Sequence, residues 1–262
     1  MSKYSVQEPE YVITEIDGRK TRLLKMAAFN RFNPSILGLG TLNSVAEATD
    51  AIAAVFDLEG FTNFCKQIEP HLSVPVFLNL FLDWLMNQIR AELVHKTYDQ
   101  GVALLGPLPF FVKFMGDGLL VLWDVSRPDE NARRNIIITG REICLRYSRD
   151  FYPQLGAKVS DPPKVLRCGL ARGTVYSVGN GNDFVGSCIN MAARIQKLPG
   201  TTFAFNRRGI SIDEPAADDF FKTRLVVKKV GVRGIGDNEL ICILKSEFDS
   251  MAAEDKSFYR DA

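Results

Sequence analysis

Histidine is nearly missing from this 262-residue chain, which has only His71 and His95, and its five cysteines (Cys65, Cys144, Cys168, Cys188, Cys242) are scattered without a single CxxC pair. Those spacings argue against a disulfide framework and against a structural zinc site. Soft ligands being scarce, any metal should be a hard cation held by carboxylates. Charge of one sign is missing too, since 32 Lys+Arg face 31 Asp+Glu for a net +1. Without a basic field to release counterions, nucleic acid is not the expected partner. The opening MSKYSVQEPEYV contains no apolar signal region, and no run of about 18 uncharged apolar residues occurs. The expectation is a cytoplasmic protein with no membrane insertion. What is present, 46% hydrophobic and 24% charged residues, is the make-up of a globular domain.

Along the chain, YVITEI and RKTRLLK alternate around Asp17-Gly18 and predict a β-hairpin at roughly 10 to 25. The apolar run AIAAVF (51–56) has the length of a buried strand, with Asp57 at its end. A short helix over Phe61 to Gln67 follows. A long amphipathic helix should then begin after Ser73, with Pro75 in its first turn and Phe77, Leu80, Phe81, Trp84 and Leu85 on one face. Segment 96–108, rich in glycine and proline, reads as a loop, and FFVKFM, Gly116-Asp117-Gly118 and LLVLW read as a second hairpin. Asp129 would cap a helix over 129–151. VLRCGLA and TVYSVG would pair around Arg172-Gly173, GSCINMAARIQKL would be helical, and TFAFN, RLVVKKV and ELICILK would supply the closing strands. This order predicts an α+β fold, a ferredoxin-like, largely antiparallel sheet with helices on one face. The expected organisation is an N-terminal hairpin extension (1–45), one catalytic domain (46–246) and a C-terminal tail (247–262), with no internal repeat.

That topology brings two carboxylates to one sheet end, Asp57 closing the first core strand and Asp117 lying in the turn of the next hairpin. Paired aspartates suit Mg²⁺, which is commonly held by one or two carboxylates plus substrate phosphates. Glu59-Gly60-Phe61-Thr62, entering a helix directly after Asp57, offers backbone N–H groups to a phosphate. Asn190 and Arg194, at i and i+4, share a helix face suited to stabilising charge on a reacting phosphate. Taken singly each has an ordinary structural explanation, a cap or a turn for the aspartates and an exposed polar pair for the helix. Their combination with Lys113 makes the functional reading the stronger.

The segments VFDLEGFT (55–62), KFMGDG (113–118), LRCGLARGTVYSVG (166–179) and DFVGSCINMAARI (183–195) resemble, in order and spacing, the consecutive motifs of class III nucleotidyl cyclases. The resemblance covers about residues 50 to 245. It implies that Asp57 and Asp117 hold two Mg²⁺ or Mn²⁺ ions together with the carbonyl of Leu58, and that Lys113 and Asp183 recognise the base. It further implies that Asn190 orients the ribose, that Arg194 stabilises the transition state, and that Arg167 and Arg233 meet the β and γ phosphates. Arg233 stands where the family more often has Lys, and Ser187 where many relatives have a second Asp. The implied reaction turns a nucleoside triphosphate into a 3′,5′-cyclic monophosphate and pyrophosphate, in sites shared between the two subunits of a homodimer.

Lys113 with Asp183 is the adenine-type pair, guanylate cyclases of the family usually having Glu and Cys there. Hydrogen-bond logic alone leaves ATP, CTP and UTP open. Phe114 and Phe184 each neighbour a recognition residue and would narrow the slot against purines. In overall texture, including the lead-in NPSILGLGTLNSVAEATDAIAAVFDLEGFT, the chain is similar to the stand-alone bacterial pyrimidine cyclases of Pycsar anti-phage systems, and among these to a uridylate cyclase. That implies cyclic UMP as a second messenger read by a separate effector protein. The alternatives are an adenylate cyclase and a catalytically inactive cyclase-like nucleotide sensor. Neither a GxxxxGK[ST] loop nor a Gly-Gly-Asp/Glu-Glu-Phe signature is present.

Overall fold

The computed structural model describes residues 12–30, 33, 37–42, 45–156, 158–210 and 219–262. The loop expected between the first hairpin and the first core strand lies partly outside these residues. The described residues divide into two compact units, one built from those up to Ala48 together with Tyr176–Val185, the other from Thr49–Val175 and Gly186–Ala262.

In the first unit, β1 (Val12–Ile16) and β2 (Arg19–Leu23) form the expected hairpin, Val12 pairing with Leu23 and Ile16 with Arg19. Asp17 and Gly18 both have positive φ (51° and 71°), the backbone of a type I′ turn that Asp-Gly favours. The short helix α1 (Met26–Asn30) follows. The unit's other piece is a hairpin between Tyr176–Val178 and the short strand Asp183–Val185, in which Val178 pairs with Asp183. Its turn holds the chain around Leu39 closely, because a Cβ on Gly179 would lie 1.6 Å from the Leu39 carbonyl oxygen.

The second unit is built on β3 (Ala48–Glu59), β6 (Phe111–Phe114), β7 (Gly118–Asp124), β8 (Val165–Val178), β10 (Phe203–Asn206), β11 (Leu225–Val232), β12 (Gly236–Leu244) and β13 (Arg260–Asp261), with β4, β5 and β9 denoting Val94–Tyr98, Gly101–Leu104 and Asp183–Val185. Across the sheet the order is β13, β11, β12, β10, β8, β3, β7, β6. Strands β8 and β10 run parallel, while the pairs β10–β12, β11–β12, β11–β13, β3–β7 and β6–β7 are antiparallel. Residues 247–262 are tied to this sheet, since β13 pairs with β11 and Met251 and Tyr259 are buried.

Alternation assigns the two faces. Ile52, Ala54, Phe56 and Leu58 of β3 and Leu119, Val121 and Trp123 of β7 belong to one core with α3 (Pro70–Leu93) and α4 (Glu130–Arg146). The short α2 (Phe61–Phe64) enters this core through Phe61 and Phe64. In α3, Phe77, Phe81, Leu85 and Ile89 recur every fourth residue and are buried, while Leu80 and Trp84 flank them. By length and composition α3 is long and apolar enough to cross a membrane, yet here that stripe is packed into the core. Asp129 caps α4, its side chain accepting from the Ala132 N–H at 3.0 Å. Beyond α4 the helix continues through a π-turn at Tyr147–Phe151 into α5 (Tyr152–Leu155).

Four local expectations differ from the structure. Helix α3 begins at Pro70 rather than after Ser73, so Pro75 lies inside it. Segment 96–108 is not a loop but holds most of the hairpin of β4 and β5, in which Tyr98 pairs with Gly101 around the tight turn Asp99-Gln100. Arg172-Gly173 is not a turn but the middle of one 14-residue strand, β8. Arg172 is held there by Asp50 (Nη2 to Oδ2, 2.6 Å) and by the Gly209 carbonyl (2.6 Å), and Gly173 makes room for a helix, a Cβ there lying 3.2 Å from that of Cys188. That helix, α6 (Ser187–Ile195), is also the exception to helices on one face. Gly140 of α4 faces Cys168 and Leu170, whereas Gly169 of β8 faces Ala192 and Gln196, so α4 and α6 cover opposite sides of the same strand.

Candidate active site

Register fixes the site. Asp57 of β3 pairs with Gly118 of β7, and the Leu58 N–H donates to the Asp117 carbonyl at 3.0 Å. Gly118 is required, because a Cβ there would come within 2.0 Å of the Phe56 carbonyl oxygen. The expected meeting of two carboxylates at one sheet end is therefore present. Two residues back, Val55 pairs with Leu120, and Leu120 pairs with Lys113 of β6. Paired residues share a sheet face, so Asp57 and Lys113 both project from the side that α6 covers. Arg167, two residues before Gly169 on β8, projects from the same side. Ion pairs Arg172–Asp50 and Arg167–Glu59 link β8 to β3 along its length, the latter pair also joined by Nε to Oε2 at 3.3 Å.

The electrostatics single out Asp57. Its carboxyl is held above the usual carboxylate range, first by burial and next by the negative charge of Asp117. Lys197 and Arg167 oppose this, and Glu59 adds slightly to it. A half-buried carboxylate facing a second one is a site that a divalent cation relieves, and the donors are hard oxygens. Among the described residues no group of three or more His, Cys, Asp or Glu is assembled for a metal, so further ligands must come from backbone, water or a bound phosphate. Asp57 and Asp117 with the Leu58 backbone fit Mg²⁺ or Mn²⁺ in company with a polyphosphate.

On the entry to α2, Gly60 has φ 82°, and Asn63 and Phe64 donate back to its carbonyl at 3.0 Å. Thr62 is exposed, while the Phe61 ring lies in the core 5.8 Å from that of Phe64. Phe61 therefore offers only its backbone to a ligand. Helix α6 buries Cys188, Met191, Ala192 and Ile195 and leaves Asn190 and Arg194 exposed together on its outer face. The Arg194 guanidinium lies over Gly234, 3.7 Å from where its Cβ would be, next to Arg233 in the turn between β11 and β12. In the first unit, Asp183 opens β9 and accepts the Phe184 N–H at 2.9 Å. Both aromatic candidates for the base slot alternate away. Phe114 pairs with Leu119 and so lies on the sheet face opposite Lys113, and Phe184 follows Asp183 on the strand and points the other way.

One residue was missed. Lys197, just past α6, opposes the raised carboxyl of Asp57 as Arg167 does, yet nothing in the four motifs marks it.

No protein-family model and no curated protein matches the chain. Solved structures do match. The guanylyl cyclase Cya2 superposes with a TM-score of 0.55 at 20% identity, over 77% of this chain and 94% of that one. The adenylyl cyclase CyaB from P. aeruginosa gives 0.55 at 14% identity, over 76% and 95%. The catalytic core of a rhodopsin-guanylyl cyclase with converted specificity, in complex with ATPαS, gives 0.50 at 17% identity, over 76% and 97%. At such identities the likeness is one of fold, and the chain has the α+β fold of adenylyl and guanylyl cyclase catalytic domains.

Proposed function

We propose that this protein is a nucleotidyl cyclase that works as a homodimer, with UTP as its preferred substrate and cyclic UMP as its product. The observation that carries the reading is the convergence of Asp57 and Asp117 on one sheet end, under the face covered by the helix that presents Asn190 and Arg194. In the reaction the ribose 3′-oxygen forms a bond to the α-phosphorus, the bond from that phosphorus to the bridging β-oxygen breaks, pyrophosphate leaves, and the 3′-hydroxyl proton passes to solvent. Asp57 and Asp117, with the Leu58 carbonyl, would hold two Mg²⁺ or Mn²⁺ ions, which supply Lewis acidity toward the phosphates and the 3′-oxygen. The chain's own groups do the rest. Asn190 orients the ribose, Arg194 meets the charge that grows on the α-phosphate, and Arg167 and Arg233 meet the phosphate tail. Backbone N–H groups of Phe61 and Thr62 face the same tail.

Lys113 and Asp183 read the base as a donor and an acceptor. Since Phe114 and Phe184 turn away from them, the preference for pyrimidine rests on likeness to Pycsar uridylate cyclases, in which the product would signal infection to a separate effector protein. The same donor and acceptor suit adenine, so an adenylate cyclase is the second reading. The test is incubation with each of the four nucleoside triphosphates and Mn²⁺ or Mg²⁺, with products identified by mass. Cyclic UMP formed with the highest kcat/KM is expected. A preference for ATP would remove the uridylate assignment and leave the cyclase, and no cyclic product from any of the four would remove both.

A further inference from the structure

In the first unit, the hairpin of β8 and β9 that carries Asp183 is held by the chain that precedes β3. Its turn has an uncommon backbone, with Gly179, Asn180 and Gly181 all left-handed at φ 56°, 57° and 79°. Strand pairing ends at Val178 and Asp183, so the turn is shaped by other contacts. Asn182 supplies them. Its Nδ2 donates to the Gly179 carbonyl at 2.8 Å and to the Leu39 carbonyl at 3.0 Å, and its backbone N–H donates to the Gly179 carbonyl at 3.2 Å. Both side-chain partners are acceptors, so the position needs the two donors of an amide and disfavours a carboxylate. Gly40, beside Leu39, is left-handed too (φ 77°), and a Cβ on it would lie 3.2 Å from Asn182 Nδ2. At the stem of the hairpin the Ser177 N–H donates to the Glu47 carbonyl at 2.9 Å, and the Ser177 hydroxyl accepts from the Glu47 N–H at 2.8 Å.

Turn and stem are thus tied to chain that lies 143 and 130 residues away in sequence. Asp183 sits between the two ties. It follows Asn182 directly, pairs with Val178, and its carboxylate accepts the Phe184 N–H at 2.9 Å. The strand that it opens is only three residues long, so its own pairing gives Asp183 a short frame. We propose that Asn182 is a positioning residue for base recognition, setting Asp183 by clamping its turn to the Leu39 carbonyl, and that the chain around Leu39 and Glu47 forms part of the frame of the base site. This deepens the cyclase reading and rests on it for Asp183 as the acceptor that reads the base.

The test is a double-mutant cycle read by calorimetry with Mn²⁺ present and two probes. One is the α,β-methylene analogue of UTP or of ATP, whichever the wild type binds more tightly, which cannot be cyclised. The other is tripolyphosphate, which has no base. Asn182→Ala should weaken the analogue about fivefold, the scale of one hydrogen bond, and leave tripolyphosphate within about twofold. In an Asp183→Ala background the same substitution should have no further effect, because it acts through Asp183. Asn182→Asp, which sets a carboxylate against two carbonyls, should lose at least as much as Asn182→Ala. Equal weakening of both probes, no weakening of either, or an undiminished effect in the Asp183→Ala background would overturn the proposal. Asp183→Ala alone leaving the analogue's affinity unchanged would overturn it together with the base assignment. Turnover decides the cyclase reading separately. A chain that shows the expected cycle but makes no cyclic nucleotide would support the clamp and remove the cyclase, and a cyclase whose analogue affinity ignores Asn182→Ala would do the reverse.

Discussion

Asp57 is where the fold gives up stability for a site. A raised carboxyl pKa in the folded state means that ionised Asp57 costs stability at neutral pH. That cost shrinks as pH falls through its raised folded value, and it is gone below the ordinary carboxylate range. Asp57→Asn removes the charge and keeps the shape. The variant should therefore melt a few degrees higher than wild type at pH 7, with the gap closing on acidification, while turnover is lost. Mn²⁺ should raise the wild-type Tm and leave that of Asp57→Asn unmoved, because binding to the native state alone stabilises it. Melting curves at pH 7 and pH 4, with and without Mn²⁺, check all of this. A lower Tm for the variant at pH 7 would mean that Asp57 is a structural partner rather than a strained ligand.

Among elements, helix α6 on the cyclase reading aims Asn190 and Arg194, and Gly169 decides where α6 sits. Gly169→Ala sets a methyl against backbone at 2.3 and 2.6 Å, so the helix must move as a body. Displacements of about 1 Å at reacting groups cost on the order of a hundredfold in rate. The expected result is kcat lowered at least tenfold with Mn²⁺-dependent stabilisation retained, since Asp57 and Asp117 lie on other strands. Activity close to wild type would mean that α6 does not position the chemistry. None of this closeness was legible in the sequence, where Gly169 is one glycine in LRCGLARG. What was legible had strong local determinants: the Asp-Gly turn between β1 and β2, the four-residue stripe of α3, the Asp129 cap, and the carboxylates of β3 and the β6–β7 turn. What was not legible depended on partners distant in sequence. Arg172-Gly173 has turn composition, yet Asp50 and Cys188, contributed by other elements, hold it in a strand. Phe114 neighbours Lys113 in sequence, and the pleat alone sends it to the other face. Lys197 could be found only once α6 had been laid on β8.

At the scale of the whole molecule the question is whether one chain can assemble a complete site. Asn190 and Arg194 stand exposed on the outer face of α6, the side turned from the core of their own unit, which suits a site completed by a second copy. On the cyclase reading, Asp57 of one subunit works with Arg194 of the other, so each single-variant homodimer has two defective sites. Co-expression of Asp57→Ala and Arg194→Ala chains changes that arithmetic. In the heterodimer one site combines the intact Asp57 of one chain with the intact Arg194 of its partner, and the second site carries both lesions. Activity should return to about half the wild-type value per dimer, although neither parent has any, provided that the two sites act independently. Two affinity tags isolate the heterodimer, and co-expression avoids reliance on subunit exchange. A purified heterodimer without activity would place both residues in one chain's site or remove Arg194 from the chemistry. The exposed face of α6 would then be solvated surface rather than half of an active site.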